Sequence, residues 1–340
     1  MIRSEQSEQS NTVHYAAHMS LLPAGWDPPV TLMPGTLFAI GGAEARMRRR
    51  SVLDAFVASA GGTQARIAVV SSASSLGVEV VEVYRGVFTS LGAGQVISLR
   101  PESRAEAHDP DLVEQLRTVS AVFLTGGNQL KLSSFITGTP FGEAIKEANE
   151  RGTVVAGTSA GASILAEHMI AFGTGGATPK QRMSQLSAGL GLLRGVVIDQ
   201  HFEQRNRYGR LLSLVAQSPS LLGLGVDEDT AAVIDDGSRL GVIGRGAVTV
   251  VDGQNLVSNA FVAKRTSPLL VSGAVLHVLP AGSQFDLTTR TLLAHQTVVP
   301  DPEVLQARAA EAELRDVPRE IASEGLSPAY QRRLRRNRRS

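Results

Sequence analysis

Gly157-Thr158-Ser159-Ala160-Gly161 follows the apolar run Thr153 to Ala156 and precedes a helix-like stretch from Ala162 to Met169. A serine at a sharp strand-to-helix bend, flanked by small residues, has the layout of a nucleophile elbow. The small residues are required because backbone must approach backbone where the strand passes into the helix. The helix would begin with its amides directed at the serine, so the Ala160 N–H is a candidate oxyanion donor. The chemistry this suggests is acyl transfer through a serine nucleophile.

Such a serine needs a base, and the chain has seven histidines. His14, His18 and His108 sit in polar or proline-flanked segments, and His277 and His295 lie late in strand-like or terminal runs. His168 is expected on the elbow's own helix, nine positions after Ser159, which carries it away from the nucleophile. His201 closes Val196-Val197-Ile198-Asp199-Gln200-His201, a buried-strand pattern ending in polar residues. In open α/β sheets the C-terminal ends of strands line the ligand crevice, so His201 is the expected base. The loop Thr125-Gly126-Gly127-Asn128-Gln129 also follows an apolar run directly, and Gly127 is the expected second oxyanion donor.

The elements that must position these residues alternate. Strands are expected at Thr36–Ile40, Ile67–Ser71, Val96–Leu99 and Ala121–Leu124, with helices around Met47–Ala60, Val78–Leu91, Asp111–Val119 and Phe141–Arg151. Apolar strands separated by helices imply an α/β fold with a mostly parallel sheet covered on both faces. After Gly223 the texture changes to short glycine-punctuated β runs, at Ala231–Ile234, Gly246–Val251 and Ala274–Leu279, which suggests an antiparallel C-terminal extension. Residues 1–34 read as a flexible polar extension, 35–298 as the catalytic domain, and 299–340 as a charged tail with six arginines in its last nine residues.

At 340 residues and 43% hydrophobic content the chain can bury a large core. A net charge of +1 argues against nucleic-acid binding by the core, and no run approaches the eighteen apolar residues of a membrane span. The absence of cysteine excludes disulfides and thiol catalysis. No G-x-G-x-x-G opens a helix and no GKS/T follows a glycine-rich turn, so nucleotide binding is not expected. The start of the chain lacks the basic, then apolar, pattern of a secretory signal.

Ser159 in GTSAGAS, Gly126-Gly127-Asn128-Gln129, Asp199-Gln200-His201-Phe202, the arginines at 205, 207 and 210, Gly225 to Ala231, the Gly41-Gly42-Ala43-Glu44 loop and Phe285-Asp286-Leu287 occur in order. Together they resemble the cyanophycinases, in the serine-peptidase family that also contains the aspartyl dipeptidases. The resemblance implies a flavodoxin-like fold similar to the class I glutamine amidotransferases. It also implies hydrolysis of β-aspartyl-arginine units from cyanophycin, without metal or organic cofactor. A cytoplasmic homodimer is the accompanying expectation.

In the family pattern Asp199, Gln200, the three arginines and Gln129 help bind substrate. Each repeat of the polymer exposes a guanidinium and a carboxylate, so a pocket for it needs both signs of charge. Arg205, Arg207 and Arg210 are suited to clamp carboxylates, while Asp199, Asp227, Glu228 or Glu203 would receive the guanidinium.

One position departs from the family. The expected triad glutamate falls in Gly175-Gly176-Ala177-Thr178-Pro179, where Ala177 stands, and no Asp or Glu occurs between His168 and Ile198. The readings left open are a substitute carboxylate from Glu167, Glu203 or Asp227, a Ser–His dyad, or a ligand-binding protein without efficient turnover. An Asp-X dipeptidase-like enzyme is a further alternative, against which the DQHF and triple-arginine set argues.

Overall fold

The computed structural model describes residues 33–47 and 50–296. The tail expected from 299, and all of the N-terminal extension before residue 33, lie outside the described residues.

Two sheets organise the chain. The larger has nine strands in the order β17-β16-β11-β10-β1-β5-β4-β2-β3. Its parallel half comprises β1 (Leu37–Ile40), β2 (Arg66–Val70), β3 (Gln95–Ser98), β4 (Ala121–Leu124) and β5 (Val154–Thr158). All but the edge strand β3, whose Gln95 and Ser98 are exposed, are apolar and almost continuously buried segments, as strands covered on both faces must be. The helices α1 (Ser51–Ser59), α2 (Glu79–Ser90), α3 (Pro110–Leu116), α4 (Gln129–Ile136) and α5 (Pro140–Glu150) connect them. The two faces fill two separate cores. One holds the aromatic cluster Phe38, Phe56, Tyr84, Phe88 and Phe123, whose rings pack 4.6–5.9 Å apart.

The four-residue helix α6 (Ala160–Ser163) follows β5, and then the chain enters β6 (His168–Gly173), paired with β7 (Ser184–Ala188). The helix expected to run to Met169 therefore stops at Ser163, and His168 begins a strand. The stretch is apolar but for Ser163, Glu167 and His168, too short a pattern to tell a buried helix from a turn that leads into a strand.

The second sheet has the order β15-β12-β9-β8. It contains β8 (Val196–Gln200), followed by helix α7 (Tyr208–Gln217), and β9 (Leu222–Val226), which pairs parallel to β8. The chain then crosses to the main sheet as β10 (Thr230–Asp235), antiparallel to β1, and continues into β11 (Arg239–Gly244). It returns as β12 (Ala247–Asp252), forms the small hairpin β13 (Val257–Ser258) and β14 (Val271–Ser272), and adds β15 (Val275–Pro280). Finally β16 (Ser283–Asp286) and β17 (Thr291–His295) complete the main sheet. The expected β runs at Gly246–Val251 and Ala274–Leu279 thus form strands, but in the second sheet, not in the extension of the first.

Candidate active site

The ends of β1, β4 and β5 in the main sheet and of β8 and β9 in the second converge on one site. At the end of β5, Ser159 has φ 53° and ψ −112°, a left-handed conformation that a non-glycine residue adopts at a cost of about 1–3 kcal/mol. The turn leaves no room for a side chain at Gly157, where a Cβ would run into the backbone of Gly161, nor at Gly161, where it would meet the backbone of Leu124. The elbow read from the sequence is therefore formed for the steric reason given there.

His201 lies one residue beyond β8 and is also left-handed, with φ 48°. Its Nε2 is 3.0 Å from Ser159 Oγ, and its Nδ1 is 2.6 Å from Glu228 Oε1. Glu228 stands in the three-residue crossover between β9 and β10, brought to the histidine by the parallel pairing that sets Gln200 opposite Val226. The sequence reading assigned Glu228 to substrate and looked to Glu167, Glu203 or Asp227 for an acid. Glu228 instead takes the orienting position. Glu167 and Glu203 are exposed, and the Asp227 carboxylate accepts the backbone N–H groups of Glu203 at 3.1 Å and Ala247 at 3.0 Å. Ala177, where the resemblance implies a glutamate, is exposed, and His201 has a carboxylate partner in Glu228 without it.

Burial pushes the His201 imidazole below its ordinary pKa of 6.5; the bond to Glu228 opposes this, and the Arg205 and Arg207 charges reinforce it. The ring is thus held neutral, as an acceptor must be, around neutral pH. The N–H groups of Gly127 and Ala160 meet no acceptor among the described residues, so both are available to an oxyanion. The Gly126–Gly127 turn passes so close that a Cβ at Gly126 would stand 3.2 Å from the Ser159 Cβ.

The charged residues expected to touch substrate divide into two groups. Asp199 is fully buried, and its carboxylate accepts Arg210 Nε at 2.6 Å, Arg210 Nη2, and Arg207 Nη1 at 3.1 Å. Arg207 also donates to the Gln200 carbonyl, and Arg210 to the Gly173 carbonyl at 3.1 Å. Burial lowers the Arg207 pKa to about 10, against the pull of Asp199. Asp199 and Arg210 are therefore committed to an internal ion cluster and not presented as open clamps. Arg205 is exposed, near enough to His201 for its charge to act on the imidazole. Gln129 Nε2 donates to the Ile170 carbonyl at 2.6 Å, and Gln129 Oε1 accepts Gln200 Nε2 at 3.2 Å. Gln200 Oε1 is buried with no partner, which leaves an acceptor for a donor from outside the protein.

The loop after β1 ties these parts together, a role its sequence did not disclose. The Gly41 carbonyl accepts His201 N–H at 2.8 Å, and the Ile40 carbonyl accepts Ser159 N–H at 3.0 Å. Gly42, with φ 99°, lies against the imidazole so closely that any Cβ would enter the ring. The buried Glu44 carboxylate accepts Thr158 Oγ1 at 2.6 Å and Tyr84 Oη at 2.5 Å, fixing the residue before the nucleophile. Burial, then the Glu44 charge, drive the Tyr84 pKa well above its usual value, so the phenol remains a donor. No group of three or more His, Cys, Asp or Glu among the described residues is arranged to hold a metal ion.

The model of the family described as Peptidase family S51 matches residues 37–240. A cyanophycinase of Geminocystis herdmanii is 37% identical over 261 residues, covering 76% of this chain and 96% of that protein. A cyanophycinase of a Nostoc species is 40% identical over 259 residues, covering 76% and 87%. Among solved structures, a peptidase from an acI-B1 Actinobacterium superposes with a TM-score of 0.55 at 22% identity, covering 75% of this chain and 98% of that one, a likeness of fold.

Proposed function

The chain belongs to peptidase family S51, and from that premise we propose that it is a serine hydrolase that releases β-aspartyl-arginine dipeptides from cyanophycin. The observation that carries this reading is the continuous relay from Ser159 Oγ through the His201 imidazole to Glu228, at 3.0 and 2.6 Å. Ser159 attacks the carbonyl of the amide joining successive units, and His201 Nε2 takes its proton. Glu228 fixes the tautomer that presents Nε2 as acceptor and stabilises the imidazolium that forms. The oxyanion is received by the N–H groups of Gly127 and Ala160. His201 then protonates the departing amine, the bond to the acyl group breaks, and water attacks the acyl-enzyme through the same base.

Gln200 Oε1, oriented by Gln129, is suited to accept from a substrate guanidinium, and Arg205 to meet a substrate carboxylate. Asp199, Arg207 and Arg210 act from behind, holding the end of β8 and keeping positive charge near the carboxylate-bearing substrate. The contact of His201 with Glu228 supports turnover over the alternative of an inert binding protein, which supposes an unoriented histidine. The order β3-β2-β4-β5 repeats the 2-1-3-4 order of a flavodoxin-like sheet, with β1 in the fifth place, which supports that finer fold reading. A domain of 35–298, cytoplasmic residence and a homodimer complete the proposal. No helix among the described residues is long and apolar enough to cross a membrane.

Incubation of the full chain with insoluble cyanophycin, followed by mass spectrometry, tests the proposal. β-Aspartyl-arginine released by the wild type and lost by at least about four orders of magnitude in rate with Ser159→Ala is expected. Release that persists in Ser159→Ala, or none from the wild type, overturns it.

A further inference from the structure

Three residues cross from the second sheet to the main one between Val226 and Thr230, and all are acidic. Each is committed in a different direction. Asp227 is turned to the second sheet, where it takes the Glu203 and Ala247 amides. Glu228 reaches His201, and that is the one protein contact of its carboxylate among the described residues. Asp229 is turned to the main sheet. Its Oδ1 accepts the Ala45 N–H at 2.8 Å, its own N–H donates to the Gly42 carbonyl at 2.9 Å, and its carbonyl accepts the Arg245 N–H at 2.8 Å.

The Glu228 side chain keeps 35% of its surface exposed and has nothing but the imidazole to hold its head. A long, part-exposed side chain loses rotamer freedom when it is fixed, so its direction is set through the backbone: its own N–H donates to Gln204 Oε1 at 2.9 Å, its carbonyl accepts Thr230 Oγ1 at 3.1 Å, and the residues on either side are anchored in turn. On the Asp227 side that backbone is anchored to the sheet that carries His201. On the Asp229 side it is anchored to the loop that shapes the histidine, since Gly41 accepts the His201 N–H and Gly42 packs on its ring.

We propose that Asp229 is a positioning residue of the triad, setting Glu228 against His201 through its carboxylate bond to the Ala45 N–H. The proposal rests on the triad reading above. Asp229 sits at φ 51°, a conformation tolerated by Asp, Asn and Gly, so two roles of the residue are separable: the backbone turn and the side-chain bond. Burial holds the Asp229 pKa above its ordinary value and the Glu44 charge adds to this, while the Ala45 N–H and the Arg245 charge oppose it.

Asp229→Asn keeps both the turn and an acceptor for Ala45. Asp229→Gly keeps the turn and deletes the acceptor. With cyanophycin as substrate, Asp229→Asn is expected to stay within about threefold of the wild type, and Asp229→Gly to lose at least about tenfold in kcat with KM altered much less. The acid limb of the kcat profile should move to lower pH in Asp229→Gly, because His201 loses the carboxylate that raises its pKa. In a Glu228→Gln background Asp229→Gly should cost almost nothing further, since both changes act on one contact. Unchanged kcat and acid limb in Asp229→Gly overturn the proposal whatever happens to Tm. Additive losses in the double variant, or Asn no better than Gly, do so as well.

Should Asp229→Gly not fold, Ala45→Pro, which removes the N–H that the Asp229 carboxylate accepts and leaves the residue at the turn unchanged, takes its place with the same expected directions. An NMR titration of the His201 ring reads the same contact without turnover. A lowered imidazole pKa in Asp229→Gly thus supports the positioning role even if cyanophycin is not the substrate, and an unchanged one removes it.

Discussion

On the main sheet, Ser159, Gly127 and Gly42 are placed by backbone shape: a left-handed serine, glycines where no Cβ fits, and N–H groups left unpaired. On the second sheet, His201, Asp199, Arg207 and Arg210 are placed by hydrogen bonds and charge. The nucleophile half is thereby rigid and intolerant of volume, whereas the base half depends on partners that a single atom exchange can remove. Catalysis on this reading needs both, because the serine–histidine contact spans the boundary between the two sheets.

The difference can be broken from the charge side first. Glu228→Gln leaves the volume nearly unchanged but removes the acid, and kcat on cyanophycin should fall by about three to four orders of magnitude. Wild-type activity should rise with pH along an acid limb lying below 6.5, since the protonated ring cannot accept the serine proton and burial lowers its pKa. Glu228→Gln should move that limb lower still, by losing the bond that opposes the shift. A pH–rate series on both proteins checks the sign.

Asp199→Ala attacks the same half through stability. It leaves the guanidinium groups of Arg207 and Arg210 buried with no counter-charge and should lower unfolding stability by about 3–5 kcal/mol, measured in urea. On the main-sheet side, Gly42→Ala pushes a methyl into the imidazole at a residue with φ 99°. It should reduce kcat about 100-fold by displacing the base, with a smaller loss of stability than Asp199→Ala. The smallest effect is expected from Ala177→Glu. With Glu228 already on Nδ1, turnover should stay within about twofold of the wild type, where an unoriented histidine would predict a gain of about tenfold or more.

What was legible in the sequence follows the same division. The elbow was readable because the turn imposes small residues at fixed spacing around Ser159, and His201 because its strand ends in polar residues. Local sterics write such signals into adjacent positions. Glu228 was visible as one of three consecutive acids, but which of them would face the imidazole depends on how β9 crosses to β10, a long-range fact. Sequence alone points Asp199, Arg207 and Arg210 at a charged substrate, since it does not separate a buried ion cluster from an exposed one. The short α6 is hidden because the apolar positions of Ala162 to Met169, interrupted only by Ser163, Glu167 and His168, suit a buried helix as well as a short turn followed by a strand.

Connections between strands are ordinarily where insertions and deletions are tolerated, and turns such as Asp236-Gly237 between β10 and β11 fit that pattern. The crossover at 227–229 does not. With each residue pointing to a different anchor, one added or lost residue would bring a different acid to His201 while both sheets still folded. Length is thus a catalytic constraint at these three positions: on the triad reading, an insertion or deletion there is expected to abolish turnover without unfolding either sheet.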